Sequence, residues 1–438
     1  MKIFISGIGG TGLGPLAELA LDAGIEVLGS DANHSPNTAE LEKRGVKIVY
    51  KQSFREISRI YVKEHFDWFV HSSAIPADSE ELKFCEENGI KHTKRDEFLA
   101  EFIRQKDLQM IAIAGTHGKT TTTSMLIWVF RELGLDFSYS VGSTLKFGPA
   151  ASFRENSRFF IYEADEYDHN FLAYEPAVSA IVSLDYDHAD IYPTIEDYRG
   201  AFREFVANSG QTFMWKSTYD QLFSEANPAE NLVVLSQDSE FFAGFPIELP
   251  GKIMRENARL ALEICREILD DFDEKKVREI LENFPGADRR FEQISRNLYS
   301  DYAHAPAEIA ATLQKAHELS RKNPSQKVVA VYQPHQNARQ IEILREGGYR
   351  GAFSDADEIF WLPTYLNRMD LLPDAPKVLS PRELISTLSE SQKSFAKPVE
   401  FDENLVAKIR ENLAAGNLVI ALGAGPIDGW IRENFAKK

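Results

Sequence analysis

The residues Gly115-Thr116-His117-Gly118-Lys119-Thr120-Thr121 directly follow the apolar run 111–114 and directly precede a helical pattern. Glycines there let backbone N–H groups converge on phosphate oxygens, a lysine reaches the β- and γ-phosphates, and a hydroxyl serves Mg2+. Lys119 and Thr120 stand where a nucleotide-binding P-loop puts them, although the loop is shorter than GxxxxGK[ST]. A glycine turn that only starts a Thr-rich helix is the plainer alternative. The strand, loop and helix in succession favour phosphate.

A second constellation, Glu163-Ala164-Asp165-Glu166-Tyr167-Asp168, ends the apolar run 159–162. Several carboxylates at a strand terminus suit Mg2+, which prefers oxygen ligands and usually keeps waters. A solvated acidic loop is the competing reading. About twenty residues on comes Asp185-Tyr186-Asp187-His188-Ala189-Asp190. His188 alone reads as a structural histidine. Beside the P-loop and the acidic cluster it reads as a metal ligand or phosphate partner.

The chain opens with Gly7-Ile8-Gly9-Gly10-Thr11-Gly12, with glycines at 7, 9, 10, 12 and 14. The spacing is not GxGxxG, but the mechanism is shared: a tight turn, close backbone approach, and pyrophosphate at a helix N-terminus. Asp31, after the second strand pattern, mimics a ribose-binding carboxylate, so an NAD-binding Rossmann domain is one natural reading of this block. Late in the chain stand Arg289-Arg290-Phe291, Asp301-Tyr302-Ala303-His304, and Gln333-Pro334-His335 through Arg339. Arginines there could neutralise a transferring phosphoryl group. Taken singly, each is more often a surface feature than a functional one.

The elements that position these residues alternate. Strand patterns at Lys2–Ser6, 26–29, Lys47–Val49 and 67–71 are interleaved with helical stretches at 13–23 and 79–87. After a polar break at Lys106-Asp107, strands are expected at 110–114, 159–162, 180–184 and Leu232–Leu235, with helices from the loop to 133, at 195–207 and at 255–269. Beyond the Phe284-Pro285-Gly286 turn, strands are expected at 298–300, Val328–Tyr332, 358–362 and Leu418–Leu422. Short apolar strands alternating with helices predict parallel, doubly wound sheets. The expected fold class is α/β in three successive domains: Rossmann-like over 1–108, a P-loop ATPase with a mostly parallel sheet over 109–284, and Rossmann-like over 285–438. Length agrees, since 438 residues correspond to about three domains.

Composition excludes other classes. Hydrophobic residues are 43% and charged residues 26%, ordinary for a globular chain and incompatible with disorder as the main state. Forty-nine Lys and Arg against 67 Asp and Glu give a formal charge of −18, which argues against a nucleic-acid partner. Small anions remain accessible through glycine loops. Cys85 and Cys265 are too few for a CxxC zinc site and read as reduced. No signal-peptide pattern opens the chain and no apolar stretch approaches 18 residues, so a cytoplasmic protein without membrane insertion is expected.

Taken in order, GIGGTGLG at 7–14, GSD at 29–31, SSAIP at 72–76, GTHGKTTTT at 115–123, EADEYD at 163–168, DHADIY at 187–192, RRFE at 289–292, DYAHAP at 301–306, QPH at 333–335 and LGAGPID at 422–428 resemble the Mur ligase family. These are the ATP-dependent amide ligases that build the peptidoglycan stem peptide. The resemblance implies a UDP-sugar domain, a central ATPase and an amino-acid acceptor domain, and turns the first loop from NAD to UDP. It implies that Gly9, Gly10, Thr11 and Gly12 meet the diphosphate, with Asp31, Ser72 and Ser73 near the nucleotide. It assigns Gly115 to Thr121, Asn257, Arg290 and Asp301 to ATP, with Lys119 and Arg290 steadying the phosphates. Thr120 and Glu163 are implied for one Mg2+ and His188 for a second; His304, His335 and Arg339 are implied for the acceptor, with His304 as base.

The implied reaction joins the lactyl carboxylate of UDP-N-acetylmuramate to an amino acid, L-alanine, through an acyl phosphate, in a monomer or homodimer. Three segments depart from the family pattern. The GxHNxxN stretch keeps only Gly251 and Asn257, with Ile253 and Met254 between them; DDYxHHP becomes Ser300 to Pro306 with Ala305; QPHRYxR becomes Gln333 to Arg339 with Gln336. A recycling ligase that adds an intact tripeptide, and a non-catalytic homologue that binds UDP-sugar or nucleotide, are the alternatives.

Overall fold

A computed structural model describes residues 1–72, 75–223, 230–237, 247–321, 323–367, 369–372 and 374–436. Among these the strands form three sheets. The first comprises β1 (Lys2–Ser6), β2 (Glu26–Ser30), β3 (Lys47–Val49), β4 (Trp68–His71) and β5 (Lys91–Lys94), in the order β3-β2-β1-β4-β5. All its pairings are parallel. The second comprises β6 (Gln109–Ala114), β7 (Phe137–Ser140), β8 (Ala151–Ser152), β9 (Phe159–Glu163), β10 (Val178–Ile181), β11 (Gln211–Trp215) and β12 (Leu232–Leu235), in the order β12-β11-β10-β6-β9-β7-β8. Only the β7/β8 edge pairing is antiparallel.

The third sheet contains β13 (Glu292–Ser295), β14 (Leu298–Asp301), β15 (Val328–Tyr332), β16 (Glu358–Trp361), β17 (Ala396–Pro398) and β18 (Leu418–Leu422), in the order β13-β14-β18-β15-β16-β17. Its edge hairpin β13/β14 is antiparallel and the rest is parallel. Val328, Ala330 and Tyr332 of β15 pack into one cluster, while Val329 and Val331 pack into another on the opposite face. Burial on both faces is why such strands read as unbroken apolar runs. The α/β, largely parallel expectation holds.

The chain divides into two compact units, Met1–Ile247 with Asn257–Pro285, and Glu248–Glu256 with Gly286–Lys438. In the first unit a single apolar cluster joins the first two sheets: Leu16, Leu19, Phe98 and Phe102 share it with Ala112 and Phe160. Phe102 meets Phe153 edge-on with centroids 5.4 Å apart. Fully burying each such ring contributes roughly 1.5–3 kcal/mol. In the second unit, Gly251 N–H donates to Glu318 at 2.8 Å and the Arg255 guanidinium grips both oxygens of Glu318 at 3.0 and 3.1 Å. Residues 248–256 thus stand with the C-terminal sheet. Among the described residues no helix is long and apolar enough to cross a membrane.

Candidate functional site: a phosphate cradle and a second glycine loop

Strand β6 ends at Ala114, and Gly115 then adopts φ +129°. A Cβ there would stand 2.8 and 2.9 Å from the backbone O and N of Ser183, so only glycine lets the loop lie this close to the end of β10. Thr116 N–H donates to Ser183 O at 3.2 Å, and its hydroxyl donates to Asp185 O at 2.7 Å. The His117 N–H donates to the Ser183 hydroxyl at 2.8 Å, and the His117 ring lies 3.5 Å from Asp185. The helix Lys119–Glu132 starts at Gly118 (φ +88°) with no side-chain cap. By contrast, Ser35, Ser53 and Thr194 cap their helices. The first-turn N–H groups here, Thr121 among them, carry the uncompensated positive end of the helix that attracts phosphate.

Lys119 Nζ is held inside this loop by Gly115 O at 2.5 Å and by both oxygens of Glu166 at 2.8 and 3.0 Å. Burial works to lower the ammonium's pKa, and the facing Glu166 charge outweighs it, so Lys119 is held above the usual lysine value. Glu166, 1% exposed, is pushed up by burial against the pull of Lys119. The Thr120 hydroxyl donates to Glu163 Oε1 at 2.8 Å, while Gly142 N–H donates to Glu163 Oε2 at 2.7 Å. The expected pair Thr120 and Glu163 is therefore assembled. His188 is brought to Glu166 instead, with Nε2 3.8 Å from its Oε1.

Asn257 also belongs to this cradle: a Cβ on Gly118 would stand 3.1 Å from its Oδ1. Asp168, His169 and His188 all take positive φ (53°, 58° and 57°), a concentration of backbone strain typical of functional loops. Among the described residues no three His, Cys, Asp or Glu side chains form a ready metal cage. A hydroxyl beside a carboxylate is nonetheless the hard-oxygen donor set that Mg2+ takes together with waters and phosphate oxygens.

The first glycine loop sits at the end of β1. Asp31 accepts from Gly9 N–H at 2.8 Å and from Asn33 N–H at 3.0 Å, so its carboxylate shapes the loop. Gly10 N–H donates to Gly7 O at 3.0 Å. The helix Leu13–Asp22 starts at Gly12, again without a side-chain cap and without an acid in its first turn. Ser72 accepts from Ile75 N–H at 3.1 Å; Ser73 lies outside the described residues. Thr11 and Gly12 line one cavity of ≈ 240 Å³ together with Arg95, Lys119, Gly142 and Glu163. The two glycine loops of the first unit thus open onto a common space.

In the second unit, Asp301 is buried and accepts from Phe291 N–H at 2.7 Å and Ala303 N–H at 2.8 Å; burial raises its pKa against the pull of Arg290. Arg290 lies over the Tyr302 ring at 5.1 Å. His304 Nδ1 stands 3.2 Å from Glu308 and its ring 5.9 Å from that of His335. Burial, with His304 nearby, pushes the His335 pKa down to about 4. Arg339 donates to Glu342 at 3.0 Å. Sequence reasoning named Glu166 only as one acid of a cluster and passed over Arg95 and Tyr365, which stacks on His335 at 5.4 Å. Distant pairing, 47 residues for Lys119 with Glu166, leaves no local signal.

A mostly parallel sheet whose central strand feeds a glycine cradle holding a lysine, a hydroxyl and carboxylates defines a P-loop-type α/β protein. Residues 2–107 match the Mur ligase family, catalytic domain, and residues 113–243 match the Mur ligase middle domain. The chain belongs to the Mur ligase family. It is 29% identical to UDP-N-acetylmuramate–L-alanine ligase of Jannaschia sp. (strain CCS1), over 98% of this chain and 94% of that one. The same identity relates it to the enzyme of that name from Clostridium botulinum (strain Okra / Type B1), over 97% and 95%. Its fold resembles the crystal structure of UDP-N-acetylmuramate–alanine ligase from Thermotoga maritima, with a TM-score of 0.74 and 22% identity over 99% and 98% of the two chains. A murein peptide ligase from Psychrobacter arcticus shares the fold at a TM-score of 0.64 and 23% identity, over 99% and 98%.

Proposed function

We propose that this protein is an ATP-dependent amide ligase that joins the lactyl carboxylate of UDP-N-acetylmuramate to the amine of L-alanine, releasing ADP and phosphate, in peptidoglycan precursor synthesis. The observation that carries this reading is the common cavity, where the glycine loop ending at Gly12 faces Lys119 and Glu163. One anionic substrate at each loop brings an acid and a γ-phosphate into the same space. Residues 1–108 would hold the UDP-sugar, 109–284 ATP and 285–438 the amino acid, in a cytoplasmic monomer or homodimer.

A carboxylate acylates poorly because oxide is its leaving group. Attack of the carboxylate oxygen on the γ-phosphorus breaks the bond to ADP and leaves an acyl phosphate, from which phosphate departs readily. Lys119 and the first-turn N–H groups after Gly118 would neutralise and orient the β- and γ-phosphates, with Glu166 holding the ammonium in place. Thr120 and Glu163 would hold one Mg2+ and His188 a second, the metal supplying charge neutralisation on the phosphates. Arg290 would steady phosphate oxygens, and Asp301 would act through the turn it pins. The amine must lose a proton before it attacks the acyl carbon. His304, whose Nδ1 faces Glu308, is the base we assign.

The test is phosphate release by purified protein given UDP-N-acetylmuramate, ATP, Mg2+ and, in separate reactions, L-alanine, glycine, L-serine or the stem tripeptide. Release with L-alanine supports the reading. Turnover only with tripeptide moves the acceptor to the recycling reaction, and UDP-sugar binding without release under any acceptor makes the chain a non-catalytic homologue.

A further inference from the structure

The cavity beside Gly12 holds a cation that the scheme above leaves without a task. Arg95 opens the helix Arg95–Gln105, immediately after β5. Its guanidinium lies against the first glycine loop: a Cβ built on Gly12 would collide with its Nη1. Only a residue without a side chain at position 12 permits this approach. The Arg95 side chain is 18% exposed, and its ion-pair partner, Asp165 Oδ2, stands 3.6 Å away. That separation is too long for an N–H···O bond. Among the described residues the guanidinium makes no hydrogen bond, although it carries five N–H donors in a fixed fork. Its neighbours across the cavity include Lys119 and Glu163.

A half-buried guanidinium that faces a glycine backbone at an uncapped helix start, and makes no hydrogen bond among the described residues, is complementary to a group with two or more anionic oxygens. We propose that Arg95 binds the diphosphate of the nucleotide sugar, adding a bidentate cation to the backbone donors of the Gly9 to Gly12 loop. The assignment rests on the function proposed above. Because the same arginine reaches Asp165 in the acidic segment next to Glu163, it ties the position of the sugar nucleotide to the loop that carries the phosphoryl-transfer residues.

The experiment compares wild type with Arg95→Lys and Arg95→Ala by calorimetric titration with UDP-N-acetylmuramate in the absence of ATP, and with a non-hydrolysable ATP analogue separately. Loss of a charge-assisted pair predicts about 10- to 100-fold weaker UDP-sugar binding by the alanine variant. The lysine variant, which keeps charge but not the fork, should fall between. The ATP-analogue affinity should stay unchanged, and guanidinium ion at millimolar concentration should partly restore UDP-sugar binding to Arg95→Ala. If the alanine variant does not fold, Arg95→Lys alone carries the comparison. UDP-sugar affinity unchanged in Arg95→Lys and Arg95→Ala, or ATP-analogue affinity lost in parallel, overturns the assignment and makes Arg95 a structural clamp. A wild-type protein that binds no UDP-sugar overturns the proposed function with it; wild-type binding with unaffected variants overturns this assignment alone.

Discussion

Replacing Lys119 with methionine should destabilise the protein in a pH-dependent way, whatever the reaction it catalyses. Lys119 is the cation facing Glu166, a carboxylate only 1% exposed, with two oxygens at 2.8 and 3.0 Å from the ammonium. Methionine fills similar volume but leaves that carboxylate buried against His188, 3.8 Å away. Breaking a buried pair by removing one partner costs about 3–5 kcal/mol. Burial already pushes the Glu166 pKa up, and removing Lys119 removes the main opposing charge. A carboxyl whose folded pKa lies above its unfolded value contributes stability below the unfolded pKa, and that contribution is lost as pH rises toward the folded one. The gap between wild type and Lys119→Met should therefore be small near pH 4.5 and largest at pH 8. Urea melts in EDTA without nucleotide, run across that range, measure it. Adding Glu166→Gln should recover roughly 2 kcal/mol or more at pH 8, because the second substitution removes the orphaned charge. A gap that does not vary with pH, or a double variant no more stable than Lys119→Met, would refute the reasoning.

Gly115→Ala should lower the thermal midpoint and abolish nucleotide binding, since φ +129° alone is worth about 1–3 kcal/mol of strain and the added carbon meets Ser183 backbone. Calorimetry with and without an ATP analogue reads both effects. His335, with its pKa lowered to about 4 by burial, stays neutral in the folded state while the unfolded ring protonates near 6.5. Its contribution is present above 6.5 and fades as pH falls through 4, so His335→Gln should flatten the acid side of the second unit's stability curve. Glu318 is held down to about 2 by its bonds from Arg255, so that pair supports the second unit above about pH 4.5 and is lost as pH falls toward 2. Arg255→Ala should remove about 1 kcal/mol at pH 7, a figure discounted for partial exposure. A urea midpoint unchanged at pH 7 would count against it.

The loops that carry chemistry were legible because glycine, hydroxyl and carboxylate at a strand end announce themselves without help from the fold. Core strands such as Val328–Tyr332 and Leu418–Leu422 were equally plain, being apolar on both faces. Edges were not. Strand β5 reads KHTK, with no apolar alternation, and is held by its neighbour: Lys91 sits over the Trp68 ring and the Trp68 indole donates to Thr93 at 2.8 Å. Missing β5 hid the helix behind it, and with it Arg95. The run 180–184 looked like one strand, yet the structure assigns Val178–Ile181, because Ser183 leaves the sheet to bond the phosphate loop. The helix expected from 255 begins at Lys252, and its first turn joins the C-terminal unit through Glu318, a partner more than sixty residues away.

The shared apolar cluster beneath the first two sheets has a thermodynamic outcome. Severing the chain after residue 108 would strip Phe102 of Phe153 and leave a greasy wedge in water, so neither part is expected to be a self-sufficient module. A single melting event is therefore the expected outcome for both. By mass action, a metabolite docked only on the N-terminal glycines raises the temperature at which the phosphate cradle itself dissolves.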